Sequence, residues 1–76
     1  MSASVAFSDV ETMLKHCADG YTLRIATHYR IVKYNGKVFR SLPKHDTIEL
    51  GHLRKMVRYL EISRDCANNF LPLWSH

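Results

Sequence analysis

Asn35-Gly36 is the feature that most narrows what this chain can become. A two-residue hairpin turn of type I′ needs positive φ at both central residues, and Asn-Gly supplies it at little steric cost. The chain alternates on both sides of the pair, with Thr27 to Tyr34 before it and Lys37 to Leu42 after it. That pattern predicts two half-buried strands joined at residues 35–36. The turn also sets a register, pairing Tyr34 with Lys37, Val32 with Phe39, Arg30 with Ser41 and His28 with Pro43. Tyr29, Ile31, Val38 and Leu42 share the opposite face with Lys33 and Arg40. This second set is the more aliphatic, so it is expected under the helices, leaving His28 and Arg30 on the open face. Tyr21 to Ala26 alternates too and predicts a further strand. A tight turn at Ala26-Thr27 would put Leu23 and Ile25 on the His28 side, so the phase of this strand stays open.

Helical signals flank the strands. Ser8-Asp9-Val10-Glu11 has the form of a capping box, and Phe7, Val10, Leu14 and Cys17 recur at helical spacing up to Asp19-Gly20. The expectation is a helix over about residues 8–18. Leu50, Leu53, Met56, Val57 and Leu60 predict a second amphipathic helix, with Asp46 and Glu49 as a cap and Arg54, Lys55 and Arg58 on its polar side. The order α-β-β-β-α defines an α+β fold, a two-layer sandwich laid out like a double-stranded-RNA-binding domain. Residues 1–62 make the domain. Residues 63–76 read as a C-terminal extension, polar at first and apolar at its end, "NFLPLWSH". Phe70 to Trp74 are expected to bury against the chain's own core or a second copy.

A 76-residue chain is one small domain, burying only ~60% of its unfolded surface. Eleven Lys and Arg against seven acids give a net charge of +4, which favours a polyanionic partner. Nucleic acid ranks first, an acidic protein second and a membrane surface third. Cys17 and Cys66 have neither CxxC spacing nor a Cys/His ligand set around them, so no metal site is expected and both are read as reduced thiols. The first ten residues lack the charged and apolar regions of a secretory signal, and no run is long enough to span a bilayer. The expected location is the cytoplasm, with no membrane partner.

His28 is the sharpest candidate for chemistry. An imidazole titrates near neutrality and can exchange protons with substrate oxygens. RNA carries its own nucleophile, so a metal-independent ribonuclease needs mainly an acid or base and cations on the phosphate. Arg24, Arg30 and Lys44 lie nearby in sequence to supply those cations. The plainer reading of His28 is a solvated histidine at a strand end. His45 binds phosphate or is a loop histidine. Arg54 and Arg58 grip phosphates or form a solvated helix face. No Gly-rich phosphate loop and no nucleophile elbow occurs, and no cofactor is expected.

The stretches "DGYTLRIATHYRIVKY", "VFRSLPKHDTIELG" and "LRKMVRYLEI", in this order and spacing, resemble the YcfA/HicA-like toxins, the messenger-RNA interferases of HicBA toxin–antitoxin systems. The resemblance covers about Phe7 to Ile62. It implies a double-stranded-RNA-binding-like fold, endoribonuclease activity without metal, RNA as substrate and a cognate HicB-like antitoxin as partner. Its catalytic histidine falls on His28 within Ala26-Thr27-His28, where Thr27 replaces the usual Ser and keeps a hydroxyl. Its Pro-x-His loop falls on Pro43-Lys44-His45. A homodimer through the C-terminal segment is a further expected partner. The alternative is a catalytically silent nucleic-acid-binding or protein-interaction module on the same fold, of phage or mobile-element origin.

Overall fold

The computed structural model describes residues 3–74. It is an α+β fold in which helices cover one face of a small antiparallel sheet. The elements run β1 (Ser4–Ala6), α1 (Phe7–Cys17), β2 (Thr22–Ile25), β3 (Tyr29–Tyr34), β4 (Lys37–Pro43), β5 (Thr47–Glu49), α2 (Leu50–Tyr59) and α3 (Arg64–Phe70). Strands β2-β3-β4 form one sheet, and β1 and β5 pair in a separate antiparallel ribbon.

That ribbon changes how both expected helices begin. β1 runs directly into α1, and β5 directly into α2. Neither helix has a side-chain cap, so the expected box at Ser8 and Glu11 and the Asp46–Glu49 cap do not form. Backbone bonds replace them: Phe7 N–H donates to the Asp46 carbonyl at 2.8 Å, and Leu50 N–H to the Ala3 carbonyl at 3.0 Å.

The Asn35-Gly36 turn forms as expected, with φ of 55° and 72°. The register holds through Tyr34↔Lys37 and Val32↔Phe39, then shifts, so that Arg30 faces Leu42 and Tyr29 faces Pro43. Two residues of β4, Arg40 and Ser41, therefore oppose Ile31 alone, which is a β-bulge. The extra residue puts Phe39 and Leu42 on the same face, and this decides which face is covered. Val32 and Leu42 are fully buried and Phe39 is 9% exposed. The covered face is thus the Arg30–Val32–Phe39 side, opposite to the expectation. Pairing of Leu23 with Val32 and Ile25 with Arg30 settles the phase of β2 on that side.

The core joins these residues to Val10, Met13 and Leu14 of α1 and Leu53, Met56 and Val57 of α2. Residues after 62 belong to it as well. Ser63 caps α3, its hydroxyl accepting from the Cys66 N–H at 3.3 Å, and Ala67, Leu71 and Leu73 are buried in the same cluster. Phe70 remains 41% exposed, stacked on His16 at 4.9 Å. The two cysteines, expected as thiols, form a disulfide between α1 and α3 across a sequence separation of 49. No spacing motif marks such a pair. Only the folding of residues 64–70 into a helix alongside α1 brings Cys66 to Cys17. α2 ends in a Schellman motif, with Ile62 N–H bonded to the Val57 carbonyl at 3.0 Å and Glu61 in the left-handed region at φ 59°. The Asn35 side chain donates to the Leu60 carbonyl at 2.9 Å, tying the hairpin turn to this helix end.

Candidate functional site: a histidine-lined cleft at the sheet end

An antiparallel hairpin returns the end of its second strand to the start of its first. Here β3 begins beside the end of β4, through Tyr29↔Pro43. The turn Thr27-His28 closes β2 onto β3, with Ala26 N–H bonded to the Tyr29 carbonyl at 2.8 Å. His28 is thus in the turn rather than at the head of a strand. Beside it lies the loop after β4, carrying Lys44 and His45. The Lys44 ammonium donates to the Thr27 carbonyl at 3.1 Å and bridges the two loops.

These loops form one wall of a cleft of about 550 Å³. β5 and the first turn of α2 supply the other wall, with Thr47, Glu49 and His52. His52 Nε2 lies 3.9 Å from Glu49 Oε1, one helical turn away. Tyr29, 51% exposed, stands at the rim with its ring edge-on to His28 at 6.4 Å. Three imidazoles, an ammonium, a carboxylate and a phenol therefore share one solvent-accessible cavity. Among the described residues, no group of three or more His, Cys, Asp or Glu is placed to hold a metal ion.

Arg30 shapes the cleft from beneath. It is 8% exposed, its guanidinium lies 3.6 Å from the centre of the Phe7 ring, and its Nη1 donates to the Pro43 carbonyl at 2.7 Å and the His45 carbonyl at 2.9 Å. Its Nε is buried without a partner. A guanidinium so enclosed does not meet a ligand phosphate. It fixes the backbone that presents Lys44 and His45, and the cation–π contact offsets part of its desolvation.

The structure divides the remaining expected phosphate-binding residues. Lys44 and His45 join His28 in lining the cleft, and Thr27, next to His28 in the turn, does not line it but accepts from Lys44 through its carbonyl. Arg24 is exposed on the uncovered face of the sheet, paired with Ile31. Arg54 donates through Nε to the Leu73 carbonyl and clamps the C-terminal segment. Arg58 lines a different cleft with Arg64 and Trp74. Sequence reasoning missed His52 and Glu49 as parts of the site, whereas Tyr29 reads from sequence as a strand aromatic that either stacks on bases or packs. The spacing of His52 from Glu49, the residue just before α2, at i,i+3 is the one signal that points there.

Fold and site together define a small α+β domain with a histidine-lined cleft at one end of its sheet. No family model matches the chain, and neither a curated protein nor a solved structure matches it.

Proposed function

We propose that this protein is a metal-independent endoribonuclease and the toxin of a toxin–antitoxin pair, with His28 as general acid or base. The observation that carries the reading is the convergence of His28, Lys44 and His45, from separate loops, on one open cleft. RNA cleavage by its own 2′-hydroxyl needs a base to take that proton, an acid to protonate the departing 5′-oxygen and a cation on the phosphoryl oxygens. His28 and a second imidazole supply the proton transfers, His45 being next to Lys44 in the chain. Lys44 supplies the cation, and Thr27 offers a hydroxyl to a phosphate oxygen. The resemblance to HicA-like toxins over Phe7 to Ile62 supports the same assignment and adds a HicB-like antitoxin as partner and a double-stranded-RNA-binding type of ancestry for the fold. Acting on messenger RNA places the protein in the cytoplasm.

The test is induced expression of wild type and His28→Ala, with growth and total RNA followed, and cleavage by the purified proteins in EDTA. Wild type should arrest growth and fragment RNA in chelator. Folded His28→Ala should lose ~10²–10⁴-fold in cleavage rate. Undiminished cleavage by that variant would remove His28 from the mechanism. One observation favours a second reading, binding without cleavage: among the described residues no carboxylate hydrogen-bonds His28 to fix its tautomer. RNA binding by wild type with no cleavage under any condition would establish that alternative.

A further inference from the structure

The sheet β2-β3-β4 has one face covered by the helices and one left open. On the open face Thr22 pairs with Lys33 and Arg24 with Ile31, while Lys33 also pairs with Val38. Arg40, in the bulge, lies across from Ile31. Arg24 and Arg40 therefore flank Ile31 on the two outer strands, about 10 Å apart from the spacing of strands, and Lys33 sits on the central strand about 7 Å further along. All three are exposed. From Thr22 to His45 the chain carries Arg24, Arg30, Lys33, Lys37, Arg40 and Lys44 and not one acid. Tyr29 lies on the same face by strand alternation, two residues beyond Ile31, and it also stands at the rim of the histidine cleft.

We propose that the outer face of β2-β3-β4 is a track for single-stranded nucleic acid that runs past Lys33, Arg24 and Arg40 to Tyr29 and into the cleft. As to the cleft end of the track, the inference rests on the reading that the cleft acts on RNA. The chemistry of the face selects this occupant. Three cations on a face that no carboxylate lines among the described residues call for a polyanion. A protein interface needs an apolar centre depleted of charge, whereas the apolar residues here, Ile31 and Val38, are half-buried already and enclosed by cations. A duplex keeps its bases stacked on one another. A single strand offers them to an exposed aromatic, so Tyr29 distinguishes the two. Phosphates meet the cations, and the first free base stacks on Tyr29 where the strand enters the cleft.

The experiment is fluorescence anisotropy of a labelled oligouridylate of about twelve nucleotides, within the site sizes such surfaces occupy, titrated with the His28→Ala protein so that the RNA stays intact. The triple variant Arg24→Gln/Lys33→Gln/Arg40→Gln in that background should bind roughly tenfold or more weakly, and its slope of log K against log salt should be shallower by about 2. Tyr29→Leu should weaken binding about 5- to 150-fold, and Arg58→Gln should leave it unchanged. Circular dichroism checks that each variant folds. Unaltered affinity and slope in the triple variant would overturn the proposal. So would equal affinity for a duplex RNA of the same length, or displacement by polyglutamate as effective as by unlabelled RNA, which would assign the face to an acidic protein. Cleavage assays on the same substitutions with His28 present separate the two ideas. Track-dependent binding without any cleavage retains the track and rejects the nuclease. Cleavage that needs His28 but ignores the triple substitution retains the nuclease and rejects the track.

Discussion

Reducing the Cys17–Cys66 bond should cost this fold a large share of its stability. The bond closes a loop with a sequence separation of 49. For a loop of roughly 50 residues the chain-entropy relation gives about 14 cal/mol/K, or about 4 kcal/mol at 25 °C. A domain of this length has a total of only about 4–11 kcal/mol. At about 6 °C per kcal/mol for such a chain, Tm should fall by about 25 °C. The assay is guanidinium unfolding of the fully oxidised and fully reduced protein, followed in parallel by far-UV circular dichroism and Trp74 fluorescence. Cys17→Ala/Cys66→Ala serves as a second reduced form. The oxidised protein should also have the smaller m value, because a cross-linked denatured chain exposes less surface. Trp74 packs partly buried against the core beside α3, so it reports on the segment the bond secures. Stabilities within about 1 kcal/mol of each other would refute the chain-entropy reasoning. A Trp74 transition that precedes the loss of helix in the reduced protein would refute it differently, by showing that the bond holds α3 alone. Two titratable thiols in the folded, oxidised sample would mean that the bond does not form.

Arg30→Met removes the donor that the Pro43 and His45 carbonyls share; loss of about 2 kcal/mol is expected by urea unfolding, with faster amide exchange around residues 43–45, and unchanged exchange there would mean that the guanidinium does not order the loop. Lys37 holds the Glu61 carboxyl below its usual value, first through their hydrogen bond and then through its charge. Because the folded value is the lower one, this small stabilisation exists above the ordinary carboxylate range and is lost as pH falls through the folded value; Lys37→Ala should return the Glu61 titration seen by NMR to the ordinary range, and a Glu61 curve indifferent to the substitution would show that the pair does not interact in solution.

Much of this fold is legible in the chain because the decisive signals are local. Asn35-Gly36 sets its turn through backbone conformation alone, and the spacing of Leu53, Met56, Val57 and Leu60 sets the buried side of α2. What fails is whatever depends on one residue of phase. No Gly or Pro announces the bulge at Arg40-Ser41, yet it moves Leu42 to the other face and reverses which side is buried. The count of aliphatic residues favours the wrong face because an unbulged register places Leu42 on it and because Arg30 reads as a surface cation. It is tolerated inside by Phe7 on one side and two carbonyls on the other. α3 hid behind polar residues, although Ser63 with Asp65 in the following turn is a helix start. Missing that helix also meant missing the disulfide. His28 and His45 were legible as neighbours because antiparallel pairing brings residues 28 and 44–45 together under either register. His52 was not, since the β1–β5 ribbon that turns α2 toward the cleft rests on three-residue strands.

The disulfide and the proposed site bear on each other through stability. Thiols in a reducing cytoplasm are kept as thiols, so an RNA-directed protein there folds largely without the contribution of about 4 kcal/mol from Cys17–Cys66. A ligand that binds only the folded form restores a similar amount, about 4.1 kcal/mol at a free concentration of 1,000 times its Kd. On the proposed reading the ligands are RNA and an antitoxin, and the contacts nearest the cleft are those that position it. Arg30 anchors the 43–45 loop from the covered face of β3, and Lys44 ties that loop to the turn bearing His28. A ligand seated against Lys44 and His28 would therefore pull on the same strand ends that the hairpin and bulge have set. Protection by binding should appear first at the β2–β3 turn and the loop after β4. Protection by the disulfide should appear first where α1 meets α3. The two means of stabilising the fold act at separate places and are distinguishable residue by residue by hydrogen exchange.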